Sequence, residues 1–156
     1  MPKAIAQFNM AKARFPSDSD GLADFMNNLE AVNAVADRSK GFVWRLKADT
    51  PGDAITDQIF EDSDLLLNMS VWETIEDFRN FVFQTVHGKF LARRAEWFFP
   101  AEQPSFVMWW VDLVHKPTLE EAHEMLNVLG RDGPTANAFT LSAAFDAEGN
   151  ALGSLV

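Results

Sequence analysis

Apolar positions along this chain recur with two different periods, and the switches between them set the order of elements. From Ala4 to Ala13 they alternate by two: Ala6, Phe8 and Met10 share one face and Ile5, Gln7, Asn9 and Ala11 the other, as in a strand with one core face. The period changes after Arg14-Phe15-Pro16. Leu22, Phe25, Met26, Leu29 and Val32 then follow at spacings of three and four, which predicts a helix reaching about Asp37, with Ser17-Asp18-Ser19-Asp20 offering N-caps. Ser39-Lys40-Gly41 breaks it, and Gly41 to Lys47 is rich in aromatic and β-branched residues. That segment predicts a second strand with Trp44 and Arg45 on opposite faces.

Ala48 to Ser63 carries Pro51, Gly52 and the acids Asp49, Asp53, Asp57, Glu61 and Asp62. A loop long enough to act as a lid, or a hairpin extension with Ile55 and Ile59 inside, is expected there.

Leu65 to Pro100 is the densest stretch. Leu65 to Trp72 predicts a third strand, with Leu66, Asn68, Ser70 and Trp72 on one face and the purely apolar Leu65, Leu67, Met69 and Val71 on the other. Thr74 with Asp77 is a capping-box variant opening a helix whose stripe is Ile75, Phe78, Val82 and Val86. Gly88 is expected to kink or restart that helix, and a second segment carries Phe90, Leu91, Arg93, Arg94 and Trp97 up to Pro100. Ser105 to Val114 is apolar until Asp112, the pattern of a strand buried on both faces. Thr118 and Glu121 open a further helix with the stripe Leu119, Ala122, Leu126 and Leu129, closed by Gly130. Ala138 to Phe145 predicts a short fifth strand, and Asp146 to Val156, with Gly149 and Gly153, a loosely ordered tail.

Strand, helix, strand, strand, helix, strand is the order of an α+β, ferredoxin-like βαββαβ split unit, here with an added C-terminal helix and short strand. One domain over residues 1–145 and a tail over 146–156 are expected. Helices would cover one face of an antiparallel sheet. The apolar surface left on the other predicts a homodimer in which two sheets pack face to face.

Composition narrows the function classes. A formal charge of −10, with Arg93-Arg94 as the densest basic spot, opposes nucleic acid and anionic membranes, whose phosphates need clustered Lys and Arg. No apolar run approaches the roughly 20 residues of a bilayer span, and the N-terminus lacks a secretory pattern, so a soluble cytoplasmic protein is expected. The absence of cysteine excludes disulfides, thiolate nucleophiles and thiolate metal sites. Fourteen Phe and five Trp but no Tyr favour an apolar, aromatic ligand surface and exclude tyrosine-based proton transfer. No GxSxG occurs, the acidic run fits no EF-hand, and neither His115 nor His123 has a zinc-like partner spacing.

The segments Val32 to Leu46, Leu67 to Phe98 and His115 to Leu141 resemble the domain-of-unknown-function 3291 family, within the dimeric α/β-barrel superfamily. The resemblance implies a ferredoxin-like homodimer with a cavity between sheet and helices. The superfamily includes antibiotic-biosynthesis-type monooxygenases, some without cofactor, and haem-binding and haem-degrading proteins. The haem degraders use a first-strand Asn with a Trp and a His on the second helix. Asn9 and His87 match two of these, but Phe81 stands nearest the Trp position, a departure that weighs against haem degradation.

Among the histidines, His87 has the most promising setting. On a helix running through Gly88 it would share a side with Phe83, Leu91 and Arg94, as a general base or an axial haem ligand. Asn9 is the second catalytic candidate. Arg45 and Asn68 are expected to orient substrate, between walls formed by Trp72, Trp97 and Trp109. For Arg45 the plain alternative is a pair with Glu73 or Glu96, and for Arg93 a solvated pair with Glu96. Three readings follow: a monooxygenase-like protein, cofactor-independent or haem-dependent, acting on an apolar or aromatic small molecule, a haem-binding protein with His87 as ligand, or a non-enzymatic dimeric ligand-binding or accessory module.

Overall fold

The structure, a computed structural model, describes residues 2–15, 19–46, 65–100 and 104–156. The expected loop or hairpin of residues 48–63 and two of the offered caps, Ser17 and Asp18, lie outside them. Four antiparallel strands, β1 (Lys3–Lys12), β2 (Phe42–Arg45), β3 (Leu65–Trp72) and β4 (Phe106–Asp112), form one sheet in the order β2-β3-β1-β4. The first strand lies between β3 and β4, and Ala4 to Phe8, apolar except for Gln7, is buried on both faces. Its register pairs Gln7 with Ser70 and Asn9 with Asn68 on one side, and Gln7 with Met108 on the other.

Helix α1 (Ala23–Arg38) follows a 3-10 turn at Asp20–Leu22, and no side chain caps either start. The acidic and hydroxyl cluster before it therefore does not supply the expected cap from Ser19 or Asp20. Thr74 opens α2 (Ile75–Gln84) by accepting the Asp77 N–H at 3.0 Å, and Thr118 opens α5 (Leu119–Asp132) by accepting that of Glu121 at 3.1 Å. Both are the hydroxyl caps read from the sequence.

The restart expected at Gly88 occurs three residues earlier. Helix α2 ends at Gln84 and α3 (Val86–Ala92) begins behind Thr85, whose Oγ1 accepts the His87 N–H at 3.2 Å and donates to the Phe81 carbonyl at 2.6 Å. A short α4 (Arg94–Trp97) completes the segment.

Two cores sandwich the sheet. On one face Ile5, Trp72 and Met108 pack with Ala36 of α1 and Phe78, Phe81 and Val82 of α2. On the other, Ala4, Ala6, Phe8, Met69, Val71, Val107 and Trp109 pack beneath Leu119, Ala122, Leu126 and Leu129 of α5. The face expected to lie bare is thus covered within the chain over β1 and β4. Met10, Trp44, Leu46 and Leu67 are only half-buried on that side.

The C-terminal tail is corrected. Rather than a loose end, Ala151–Gly153 forms a strand, β6, paired with β5 (Ala144–Phe145), the Leu155 N–H donates to the Leu141 carbonyl at 2.7 Å, and Arg79 Nε donates to the Leu155 carbonyl. The fifth strand is shorter than expected, because Phe139 meets Met108 in a single bridge and Thr140 to Ala143 turns. Among the described residues, no helix is long and apolar enough to cross a membrane.

Candidate functional site

The face of the sheet covered by α1 and α2 carries a polar seam where alternation alone would put apolar side chains. Gln7, 1% exposed, donates from Nε2 to Asn68 Oδ1 and to Ser70 Oγ, each at 2.7 Å. Its Oε1 accepts from Asn9 Nδ2 at 2.9 Å, and Asn9 also donates to Asn68 Oδ1 at 3.3 Å. Ser70 Oγ accepts a second hydrogen bond from Trp72 Nε1 at 2.9 Å. A buried amide is tolerated only when its hydrogen-bonding groups are met, and here its neighbours on β1 and β3 meet them. The seam runs from buried Trp72 and Ser70 to exposed Asn68, so its amide end faces outward.

At the closed end the aromatic rings continue the path. Trp72 stacks on Phe81 with centroids 5.2 Å apart, and Phe81 lies 4.9 Å from the His87 ring. His87 Nδ1 lies 3.1 Å from the Val82 carbonyl oxygen. A carbonyl can only accept, so Nδ1 carries the proton and Nε2 keeps its lone pair. Burial lowers the pKa of this imidazole below its ordinary 6.5, against the weaker raising effect of the Val82 carbonyl. Desolvation thus favours the neutral, proton-accepting ring.

The structure brings together only part of the expected constellation. Asn9, Asn68 and Trp72 share the seam with Gln7 and Ser70. His87 reaches it through Phe81. Asn9 lies four residues along β1 from Ile5, the register partner of Trp72, roughly 13 Å of strand at about 3.3 Å per residue. Asn9 and Trp72 therefore mark opposite ends of the seam, and His87 joins it at the Trp72 end.

Three other candidates lie elsewhere. Arg45 pairs with Asp37 of α1, Nε to Oδ1 at 2.7 Å, instead of with Glu73 or Glu96, and so ties β2 to a helix end. Trp97 is 2% exposed in a separate cluster, 5.5 Å from the Phe25 ring and 5.8 Å from Phe90, with the Arg93 guanidinium 4.6 Å over it. Trp109 faces the opposite core, its Nε1 donating to Glu121 Oε2 at 2.8 Å. Glu121 in turn bonds His115 Nε2 through Oε1 at 2.6 Å, which gives His115 a structural partner.

Arg93 is engaged by Glu96 and Asp24, both at 2.9 Å, and the hydrogen bond from Arg93 lowers the Glu96 pKa. Both carboxylates are held by the one cation Arg93, and Phe81 packs against the imidazole. A groove of about 280 Å³ opens beside Phe81, between the α1 terminus and α2, near the lower end of the roughly 300–1,000 Å³ typical of small-ligand pockets. No group of three or more metal-ligating side chains occurs among the described residues.

Gln7 and Ser70 were legible as polar intrusions into apolar strands. The tandem role of Thr85, as a cap and as an anchor for the Phe81 carbonyl, was not read, although a Thr just ahead of VHGKF is a recognisable N-cap signal.

A family model described as a domain of unknown function, number 3291, matches residues 4–153. The chain belongs to this family. No curated protein matches it. Similar solved structures include a protein of unknown function from Nitrosomonas europaea (14% identity, 75% of this chain and 95% of that chain, TM-score 0.45). Another is SnoaB, a cofactor-independent oxygenase from Streptomyces nogalater (13% identity, 76% and 98%, TM-score 0.43). A third, from Chloroflexus aurantiacus, is named provisionally as an antibiotic biosynthesis monooxygenase (14% identity, 74% and 97%, TM-score 0.42). The family model and the βαββαβ order observed directly agree with the resemblance read from the sequence.

Proposed function

We propose that this family member is a monooxygenase-like protein that binds an apolar or aromatic small molecule on the helix-covered face of its sheet, with His87 as general base. The observation that carries this reading is the 3.1 Å approach of His87 Nδ1 to the Val82 carbonyl oxygen: a proton on Nδ1 leaves Nε2 as the accepting nitrogen of a half-buried ring. Such a group suits a carbon acid whose anion is spread over an aromatic system, because a neutral imidazole accepts a proton without an ionised base in an apolar site. The polar end of the ligand would meet the outward amides of Asn9 and Asn68, and its rings the edge of Phe81, which Trp72 backs from the core.

The reaction this supports starts with transfer of a methylene proton to Nε2. The carbanion reduces dioxygen, and a hydroperoxide forms at that carbon. Loss of water with the second hydrogen leaves a carbonyl, so one oxygen atom enters the product and the other leaves as water. His87 supplies the base, the apolar surroundings exclude water, and the amides fix orientation.

The test is oxygen uptake with aromatic ketones bearing an acidic methylene, compared between the native chain and His87→Ala. Turnover by the native chain that is lost in a folded variant supports the reading; equal turnover in both defeats it. We propose in addition that the protein is a homodimer through the half-buried Met10, Trp44, Leu46 and Leu67.

A further inference from the structure

The groove beside Phe81 holds two opposite charges, neither paired with a described residue. Asp77 lines it and is 8% exposed, so its side chain is more than nine-tenths buried. Its backbone N–H is used by the Thr74 cap, but its carboxylate has no hydrogen-bond or ion-pair partner among the described residues. Nor is either oxygen sealed from solvent without a partner, so the carboxylate reaches the groove. Lys40 lines the same groove, and it too forms no ion pair with any described residue. The two are not within pairing distance of each other.

A carboxylate and an ammonium that line one groove without pairing leave both charges open to a ligand. Gly41, next to Lys40, has φ +80, and a Cβ there would stand 2.1 Å from Asp77 Oδ2. A glycine is required at that point for both reasons, and it seats the Ser39-Lys40-Gly41 turn directly on the carboxylate. Asn80 and Gln84 add amides to the wall, and Phe81 an apolar surface.

We propose that this groove binds a small zwitterion of the α-amino acid class, its ammonium on Asp77, its carboxylate on Lys40 and its side chain over Phe81. The site satisfies both charges at once, which a simple amine or a simple acid cannot do, and a volume of about 280 Å³ suits a molecule of that size. It is independent of proton transfer at His87, which does not line it.

The test is isothermal titration calorimetry of the full chain with each of the twenty protein amino acids, followed by the methyl ester and the N-acetyl form of whichever binds best. Saturable binding is expected, weakened about tenfold or more by capping either end, as for the loss of a charged hydrogen bond. Lys40→Gln, at an exposed position, should erase the preference for the free acid over the ester, and Asp77→Asn the preference for the free amine over the N-acetyl form. Absence of saturable binding by any amino acid would overturn the proposal. So would affinity indifferent to capping or to Lys40→Gln.

Discussion

Gln7 and Ser70 face each other across β1 and β3 with Nε2 and Oγ 2.7 Å apart, and Ser70 Oγ also accepts from Trp72. One hydroxyl thus serves two buried donors. Ser70→Ala leaves both without that acceptor at a site 6% exposed, so a stability loss of about 2 kcal/mol is expected, the range for stranded buried donors. The midpoint of urea unfolding measures it. A change within the scatter of surface substitutions, about 0.5 kcal/mol, would show that the seam is not held as described.

His87 makes stability depend on pH in a definite direction. Its folded pKa is lowered by burial, below the ordinary 6.5 that it regains on unfolding. Below 6.5 the unfolded chain takes up a proton that the folded chain resists, so stability is fully present above that pH and falls as the pH drops toward the folded value. His87→Gln should flatten this segment of the profile. Urea midpoints for both proteins between neutral pH and the acid side of 6.5 give the comparison, and parallel curves would contradict it. If His87 is the base, the acid limb of kcat/KM falls in the same region below 6.5.

Thr85 sets the break between α2 and α3, and through it the position of His87. Thr85→Val keeps the shape but removes the bond to the Phe81 carbonyl and the cap on the His87 N–H. A loss of about 1 kcal/mol is expected, as for other hydroxyl caps, and Thr85→Ser should retain most of it. The readout specific to the site is the Nδ1 proton resonance of His87, which should shift in the Val variant and not in the Ser variant. An unmoved resonance in both would detach Thr85 from the imidazole.

The fold was legible where local chemistry and packing agree. Period-two alternation located β1 and β3 within a residue or not at all displaced, and Thr74 and Thr118 marked two helix starts, because each signal depends on its own neighbours. The tail was misread because Gly149 and Gly153 look like flexibility, whereas their positive φ values of 89° and 76° let the chain turn back and pair. Trp109 and Trp110 fall on opposite faces, but alternation does not say which helix covers each: α5 lies over the face of Trp109, and α1 and α2 over that of Trp110. Arg45 was open between several acids in sequence, and the nearness of the α1 terminus selected Asp37. His87 was read on a helix through Gly88, and the break at Thr85 changes its orientation.

The face covered by α5 decides the last expectation. Burial there is complete for Phe8 and Val107, whereas Leu67, Met10, Trp44 and Leu46 are half-buried beside them. Leucine and tryptophan side chains in that state gain from further burial, at roughly 25 cal/mol per Å² of apolar area. A two-fold contact brings the same patch from each chain together, so one substitution acts twice. Light scattering should therefore give twice the 17.5 kDa of the chain. Leu67→Lys should return that mass to a single chain with its helical circular dichroism unchanged, since α5 lies against β4 and Leu67 is on β3. A native mass of one chain, or a dimer indifferent to Leu67→Lys, would mean that α5 alone completes this side of the sheet.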